Sequence, residues 1–334
     1  MLDLEIEQLK ALAQGASRVL LTGPEGPDGD SIGACLALAR CLRALGVPQV
    51  DVAGVPSYRY RWMDGAAQML PDEEVGSDPA DGVYDLAVVM DGDAHRLTAP
   101  VDAAWAVAKK HAIIDHHGTT TADGYDVALI DHTSASTCEM ILRIMDAWGQ
   151  PLDRIQAELL YVGILFDTGG FRHSNTSVET LQVAGRLLET GMNHSAITTR
   201  VLLERRPNAM RLQGRILETA TFHDDGAVVL GTLSLALAES LELVNGDLEG
   251  IVDSLIYVRG VEVAALVVER GPGEVKLSLR SRGKVDVARL ARELHQTGGG
   301  HAKAAGVVLP ETLAEVVGRL PTALSDAVGR TRAA

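Results

Sequence analysis

Carboxylate and imidazole side chains follow the apolar runs of this sequence, at the points where those runs end. In chain order they are Asp28, Asp30, Asp91, Asp115, His116, His117 and Asp167. In an open sheet of parallel strands, groups at the carboxyl ends of the strands meet along one edge, so we expect these side chains to converge. Oxygen-rich ligands with one or two imidazoles suit manganese or magnesium better than zinc. The sequence therefore predicts a centre for one or two divalent ions, which can hold a phosphoryl group for in-line attack.

Some of these residues also have a purely structural interpretation. Asp28 and Asp30 could be turn and N-cap residues of the helix that follows them, and Asp91 could be an ordinary strand-end residue. A carboxylate such as Asp167, at the end of an apolar helix, is unfavourable to the helix dipole unless a cation compensates it. Because several such groups recur at equivalent places, the set as a whole favours a metal site over coincidence.

The apolar runs themselves lack strict alternation, as expected for parallel strands that are covered on both faces. We predict five strands in the first half of the chain, at residues 18–22, 49–52, 85–91, 112–115 and 127–130. Apolar residues at helical spacing over 31–45, followed by Gly46 and Pro48, predict a helix between the first two strands. The pattern predicts an α/β fold with a doubly wound, mainly parallel sheet.

The second half of the chain becomes helical and then returns to an α/β pattern. Helices are predicted at 134–148, 152–165, 177–190, 195–204 and 208–223, and later at 235–242, 248–258, 286–295 and 312–328. Strands are predicted at 227–234, 261–269 and 274–281. We therefore predict a catalytic metal-binding domain over residues 1–192, a helical linker over 193–223, and a smaller α/β substrate-binding domain over 224–334.

Composition limits the partners. A net charge of −15 and an aromatic content of 4% argue against binding to long nucleic acid, which requires a basic face, and favour a short phosphorylated substrate. The sequence has no apolar run long enough to span a membrane and no basic leader, so we expect no membrane association. Its three cysteines lie in apolar helical contexts, which predicts reduced thiols in the cytoplasm. Assembly as a monomer or as a homodimer stays open.

Several motifs together resemble the DHH phosphoesterases. They are PDGDS at 27–31, VVMDGDAHR at 88–96, IIDHHG at 113–118 and GILFDTGGFRHSNT at 163–176. The later runs LSLRSRG at 277–283 and GGGHAKAAG at 298–306 resemble the DHH-associated domain of that family. The two-domain layout looks most like the nanoRNase and pAp-phosphatase branch. The resemblance covers nearly the whole chain.

The resemblance implies roles for individual residues. Those that match the metal ligands of the family are Asp28, Asp30, Asp91, His116 and Asp167. His117 would lie near the substrate phosphate, Asp115 would support it, and Arg96 would complete the catalytic group. The substrate-binding residues implied in the second domain are Arg280, Ser281, Arg282, Gly299, Gly300 and His301. Arginine forks and a glycine-rich loop suit phosphate groups, although three glycines could equally form a turn between two helices.

The implied activity is metal-dependent hydrolysis of short oligoribonucleotides, of phosphoadenosine phosphate (pAp), or of both, with manganese as cofactor and magnesium as the alternative. One position departs from the family pattern: Pro24 stands where the first motif normally has a histidine ligand. Glu25 or water could fill that place, the site could hold one ion firmly, or catalysis could be lost with binding retained. A cyclic-dinucleotide phosphodiesterase and a nucleotide-binding protein with a weakened metal site are therefore the alternatives.

Overall fold

The computed structural model describes residues 2–76 and 82–333. Its contacts divide the chain into two compact units, Met1–Glu204 and Arg205–Ala334. The division falls inside the segment 193–223 that the sequence predicts as a linker. No helix in the described part of the chain is long and apolar enough to cross a membrane.

The N-terminal unit contains a five-stranded parallel sheet with the strand order β2-β1-β3-β4-β5. The strands are β1 (Arg18–Thr22), β2 (Gln49–Val52), β3 (Leu86–Met90), β4 (His111–Asp115) and β5 (Val127–Ile130). Successive residues of β3 pack on opposite faces: Val88 joins one apolar cluster, whereas Ala87 and Val89 join the other. Because both faces are covered, the strands are apolar throughout, which is the pattern that predicted them.

Helices flank this sheet. They are α1 (Asp3–Gln14), α2 (Gly29–Ala44), α3 (Ala99–Ala106), α4 (Thr137–Ala147), α5 (Arg154–Asp167), α6 (Val178–Leu188) and α7 (His194–Thr198), with 3-10 turns at Ala66–Gln68, Asp72–Glu74 and Ala94–Arg96 and a π-helical segment at Thr199–Leu203. Side-chain caps define where the longer helices begin: Ser136 accepts from Glu139 N, and Ser177 forms a capping box with Thr180.

The C-terminal unit contains a six-stranded mixed sheet in the order β10-β11-β9-β8-β7-β6, in which only the β7–β8 pair is parallel among the described strands. The strands are β6 (Thr221–His223), β7 (Val228–Leu233), β8 (Val263–Gly271), β9 (Glu274–Ser281), β10 (Gly299–His301) and β11 (Ala304–Leu309). The helices are α8 (Pro207–Thr219), α9 (Leu235–Ser240), α10 (Ile251–Ile256), α11 (Val287–Leu294) and α12 (Leu313–Ala333), with a 3-10 turn at Asp224–Gly226. The predicted α/β class is confirmed for both units.

Two predictions for this unit are wrong. The helix expected over 208–223 ends at Thr219, and the last three residues form β6 instead. The glycine-rich run, expected as a loop or as a turn between helices, forms β10, which pairs antiparallel with β11. Gly300 has φ +129°, and a Cβ there would approach the Ala304 carbonyl too closely, so the glycine is required by a close strand pairing.

Candidate metal centre

The carboxylates and imidazoles of the N-terminal unit meet beside the point where the strand order reverses, between β1 and β3. Asp30 lies in the first turn of α2, which follows β1, and Asp91 lies directly after β3. His116 follows β4, and Asp167 is the last residue of α5. A crevice at the carboxyl ends of the strands at such a switch point is the usual ligand site of this fold class.

Asp30, Asp91, His116 and Asp167 form one compact group, in which the ligand atoms all lie within 4.8 Å of one another. Nε2 of His116 lies 3.0 Å from Oδ2 of Asp167, 3.6 Å from Oδ1 of Asp91 and 3.8 Å from Oδ2 of Asp30. The side chains of Asp30 and Asp91 are at most 4% exposed, and that of Asp167 is 18% exposed. Three carboxylates thus share one buried imidazole.

Backbone donors of α4 orient the first of these carboxylates. Oδ2 of Asp30 accepts from Thr137 N at 2.6 Å, and Oδ1 accepts from Cys138 N at 2.9 Å. The N-terminus of a helix is a favourable place for an acidic side chain, and these two bonds fix the position of the Asp30 side chain. On the opposite side Gly163 allows α5 to pack against this carboxylate, since a Cβ at that position would overlap Oδ1 of Asp30.

Residues outside the predicted ligand set hold the other members of the group. Nδ1 of His116 lies 3.3 Å from the carbonyl of Ser134, an arrangement that directs Nε2 towards the carboxylates. The backbone carbonyl of Asp167 contacts Nδ1 of His173 at 3.0 Å and accepts from Nδ2 of Asn175 at 3.3 Å. His173 and Asn175 belong to the run FRHSNT, so the only signal for them was their place in that motif.

The protonation equilibria reflect this crowding. Burial, reinforced by the charges of Asp28 and Asp30, raises the pKa of Asp91 well above its usual range. Burial and the charge of Asp30 raise the pKa of Asp167 to about 7, although the hydrogen bond to His116 opposes that rise. Burial lowers the pKa of His116, but its contacts with Asp167 and Asp91 raise it more, so the net shift is upward. Buried carboxylates that repel one another are chemically suited to bind a divalent cation, because the cation compensates their negative charges.

Asp115 is engaged in a different way. It accepts four hydrogen bonds: from His116 N at 2.8 Å, His117 N at 3.3 Å and His117 Nδ1 at 2.7 Å on Oδ1, and from the Thr120 hydroxyl on Oδ2. Burial raises the pKa of Asp115, but the hydrogen bond to His117 and the charge of that imidazole outweigh burial, and the pKa falls to about 2. Asp115 therefore orients His117, because its own oxygens are both occupied.

Two further residues from the sequence analysis lie outside the compact group. Asp28 is the N-cap of α2, where its Oδ1 accepts from Asp30 N at 2.9 Å and from Ser31 N at 3.2 Å. Burial and the charge of Asp30 raise the pKa of Asp28. Arg96 is exposed at the end of a 3-10 turn, and its carbonyl accepts from Glu25 N at 2.9 Å.

In the C-terminal unit the predicted substrate-binding residues fall into two places. Nε of Arg280 donates to Oδ1 of Asp253 at 2.8 Å, whereas the exposed Arg282 lies over the ring of Tyr257, 5.7 Å from its centroid. A cavity of about 400 Å³ opens beside this stack and is lined by Tyr257, Arg259, Gly260, Val261, Glu262, Arg282 and Gly283. Ser281 is the buried last residue of β9, and Gly299, Gly300 and His301 form β10.

A doubly wound sheet with a buried carboxylate and imidazole group at its switch point defines a hydrolase of the divalent-metal class. Residues 18–164 match the N-terminal domain of the DHH family, and residues 232–329 match the DHHA1 domain. The chain belongs to the DHH family of metal-dependent phosphoesterases.

Relatives extend over most of the chain. It is 35% identical over 284 residues to the bifunctional oligoribonuclease and PAP phosphatase NrnA of Thermus thermophilus, an alignment that covers 85% of this chain and 81% of that protein. It is 27% identical to the protein of the same description from Bacillus subtilis, over 84% of this chain and 85% of the relative. An exopolyphosphatase-related protein from Bacteroides fragilis has a similar crystal structure, with a TM-score of 0.84, 25% identity and coverage of 97% of this chain and 96% of that one.

Proposed function

We propose that this protein is a manganese-dependent hydrolase of short oligoribonucleotides and of pAp. The observation that carries the proposal is the buried group of three carboxylates and one imidazole, found in a chain that aligns almost throughout with enzymes named for these two activities. The net charge of −15 supports a short substrate over a long duplex, whose binding requires a basic face.

The residues that would hold the cation are Asp30, Asp91, His116 and Asp167, with Asp28 close by. A ligand set of mostly carboxylate oxygens with one imidazole suits manganese and also accepts magnesium. A divalent cation bound there supplies Lewis-acid activation of water and of the phosphoryl oxygens. The backbone N–H groups that hold Asp30, and the Ser134 carbonyl that faces His116, keep these ligands in place before the ion arrives.

His117 is proposed as the residue that contacts the scissile phosphate. Its Nδ1 hydrogen donates to Oδ1 of Asp115, which assigns the tautomer and directs Nε2 towards the substrate. Asp115 acts as a positioning residue in this scheme, because its hydrogen bond fixes the orientation of the His117 ring. Arg96 is exposed and adds a guanidinium that can contact phosphate oxygens.

The C-terminal unit is proposed to bind the remainder of the substrate. Arg282, stacked over Tyr257 beside a cavity of about 400 Å³, offers a guanidinium for phosphate and an aromatic face for a base. Arg280, Ser281, Gly299, Gly300 and His301 complete the proposed set. Arg280 is ion-paired with Asp253, so we assign it the smaller share of phosphate binding.

The test is turnover of three substrates by the full chain with added manganese: a labelled diribonucleotide, pAp and cyclic di-AMP. Cleavage of the first two at the higher kcat/KM supports the proposal. Preferential cleavage of cyclic di-AMP would replace it with a cyclic-dinucleotide phosphodiesterase. Tight nucleotide binding without turnover of any substrate at saturating manganese would make the protein a binding protein and would refute the enzyme.

The setting of the protein is part of the same proposal. Cys35, Cys41 and Cys138 are buried thiols, and burial raises the pKa of each, which suits a reducing cytoplasm.

The mass of the native protein in solution distinguishes a monomer from a homodimer.

A further inference from the structure

We propose that this chain holds a single divalent cation firmly, on Asp30, Asp91, His116 and Asp167, and that Pro24 prevents a second ion from binding beside Asp91. The inference rests on the proposed function, because it concerns the ion of the same site. Two observations support it. Donor atoms of Asp115, His117 and Asp28 already form hydrogen bonds, and Pro24 packs next to the residue that follows Asp91.

A second group of metal-ligating side chains exists in the N-terminal unit, but it overlaps the first. It consists of Asp91, Asp115, His116 and His117, so two of its members are shared. The other two bond to each other, with Nδ1 of His117 2.7 Å from Oδ1 of Asp115. Ligation by Asp115 would break hydrogen bonds of a buried carboxylate, at a cost of about 1–3 kcal/mol for each partner left unsatisfied. This group therefore supplies no independent second site.

Asp28 does not complete a second metal site. It belongs to neither group, and its Oδ1 is committed to capping α2. Both cap bonds end on Oδ1, so only Oδ2 could meet a cation without loss of the cap, and one oxygen does not make a site. Glu25, three residues before Asp28, is exposed and is likewise a member of neither group.

The buried ring of Pro24 packs beside Gly92, the residue that follows Asp91. Its Cγ and Cβ are 3.3 and 3.5 Å from the place that a Cβ on Gly92 would occupy, directly beside Asp91. The backbone bond from Glu25 N to the Arg96 carbonyl fixes this segment against the 94–96 turn. A saturated pyrrolidine ring offers no electron pair to a cation, so Pro24 adds no ligand beside Asp91.

The test uses the full-length, metal-free protein without substrate. We expect calorimetric titration with manganese to give one equivalent per chain, and electron paramagnetic resonance of the loaded protein to show the six-line spectrum of an isolated ion. Two equivalents of comparable affinity, with the exchange-coupled spectrum of a manganese pair, would overturn the inference. Wild-type protein alone decides this point, so the result does not depend on whether a variant folds.

Pro24→His tests the assigned cause. We expect its stoichiometry to rise towards two and its spectrum to become exchange-coupled, while Pro24→Ala, which removes the ring without adding a donor, stays at one. A folded Pro24→His protein that still binds one uncoupled ion would refute the role of Pro24. Failure here is distinct from failure of the proposed function: two bound ions refute only this inference, whereas one bound ion without turnover refutes only the activity.

Discussion

Gly163 of α5 packs directly against the carboxylate of Asp30, and no space for a side chain remains between them. A Cβ at position 163 would overlap Oδ1 of Asp30 and would also overlap Sγ of Cys138. The helix can approach the metal centre this closely only because residue 163 has no side chain. The position of a proposed ligand is therefore coupled to a single glycine in the middle of a helix.

Gly163→Ala should displace Asp30 and so weaken manganese binding. It should also destabilise the protein by about 1–3 kcal/mol, the usual cost of overpacking a core. Gly185→Ala is the matched control: Gly185 lies exposed in α6 with nothing within 4 Å of its Cβ position, so this change should stabilise the protein by about 0.5–1 kcal/mol. Urea denaturation and manganese titration measure both effects. Equal behaviour of the two alanine variants would show that the close contact is unimportant.

Thr120 offers a way to test the orientation of His117 without touching either imidazole. Its hydroxyl donates to Oδ2 of Asp115, and Asp115 in turn holds His117. Thr120→Val keeps the shape but leaves a buried carboxylate oxygen without its donor. We expect kcat to fall by roughly 10-fold with KM little changed, and Thr120→Ser to restore most of the rate. A loss in KM alone, or a serine variant as slow as the valine variant, would contradict this role.

The first sheet was well predicted from the sequence because its strands are covered on both faces. The residues of β1, β2 and β5 were predicted without error, and β4 begins at His111, one residue earlier than expected. Asp91 follows β3 and His116 follows β4, so both lie at carboxyl ends of strands. A continuous apolar run reflects burial of the strand on both faces. It can therefore be recognised without knowledge of which distant residues the strand contacts.

The features that could not be predicted from the sequence depend on contacts between residues that are distant in the chain. β10 consists of glycines and one histidine, and only its pairing with β11 makes it a strand. The contacts from Thr137 N and Cys138 N to Asp30 join residues more than 100 positions apart. Contacts between side chain and backbone over such distances in sequence produce no periodic pattern. Neither the hydrogen bonds to Asp30 nor the bond from Asn175 to the Asp167 carbonyl could therefore be predicted.

Removal of the metal should lower the stability of the protein, because the charges of the crowded carboxylates are then uncompensated. Manganese at 100 times its Kd should stabilise the wild-type protein by about 2.7 kcal/mol, provided that only the folded state binds it. Asp91→Asn should abolish that increment and the activity, yet leave the metal-free protein at least as stable as wild type, because one of three crowded carboxylates is gone. Thermal unfolding with and without a chelator measures each value. An Asp91→Asn protein that manganese still stabilises would show that Asp91 is not a ligand.

His301 and Arg282 should affect binding more than chemistry. His301→Ala and Arg282→Ala are each expected to raise KM about 10-fold while kcat stays near the wild-type value, as for residues that bind ground state and transition state alike. Arg289→Ala is the control, since Arg289 is an exposed arginine of α11 that pairs with Glu293 at 2.9 Å. Steady-state kinetics with the labelled diribonucleotide provide the comparison. Unchanged KM in both variants would remove the C-terminal unit from substrate binding.

Acid should weaken the loop that supports His116. Burial raises the pKa of Asp131, but hydrogen bonds from Arg143 and Thr133 lower it more, so the net shift is downward. A carboxylate with a lowered folded-state pKa stabilises the protein above its unfolded value of about 3.9, and that stabilisation is lost as the pH falls through the folded-state pKa.

Asp131→Asn should therefore cost up to about 1 kcal/mol at pH 7, because the ion pair is partly exposed, and progressively less in acid. Asp64→Asn, at an exposed ion pair with Arg40, should cost little at any pH. Denaturation curves at pH 7 and in acid give both differences. A cost for Asp131→Asn that does not shrink as the pH falls would contradict the expectation.

The backbone of Asp91 restricts how this site can change during evolution. Its φ of 60° lies in the left-handed region, which aspartate, asparagine and glycine tolerate far better than other residues. Glutamate, the ordinary substitute that preserves a carboxylate, would meet a strained backbone there as well as a longer reach. Of the tolerated residues only aspartate carries a negative charge, so no substitution at position 91 that suits the backbone keeps the carboxylate that we propose as a ligand.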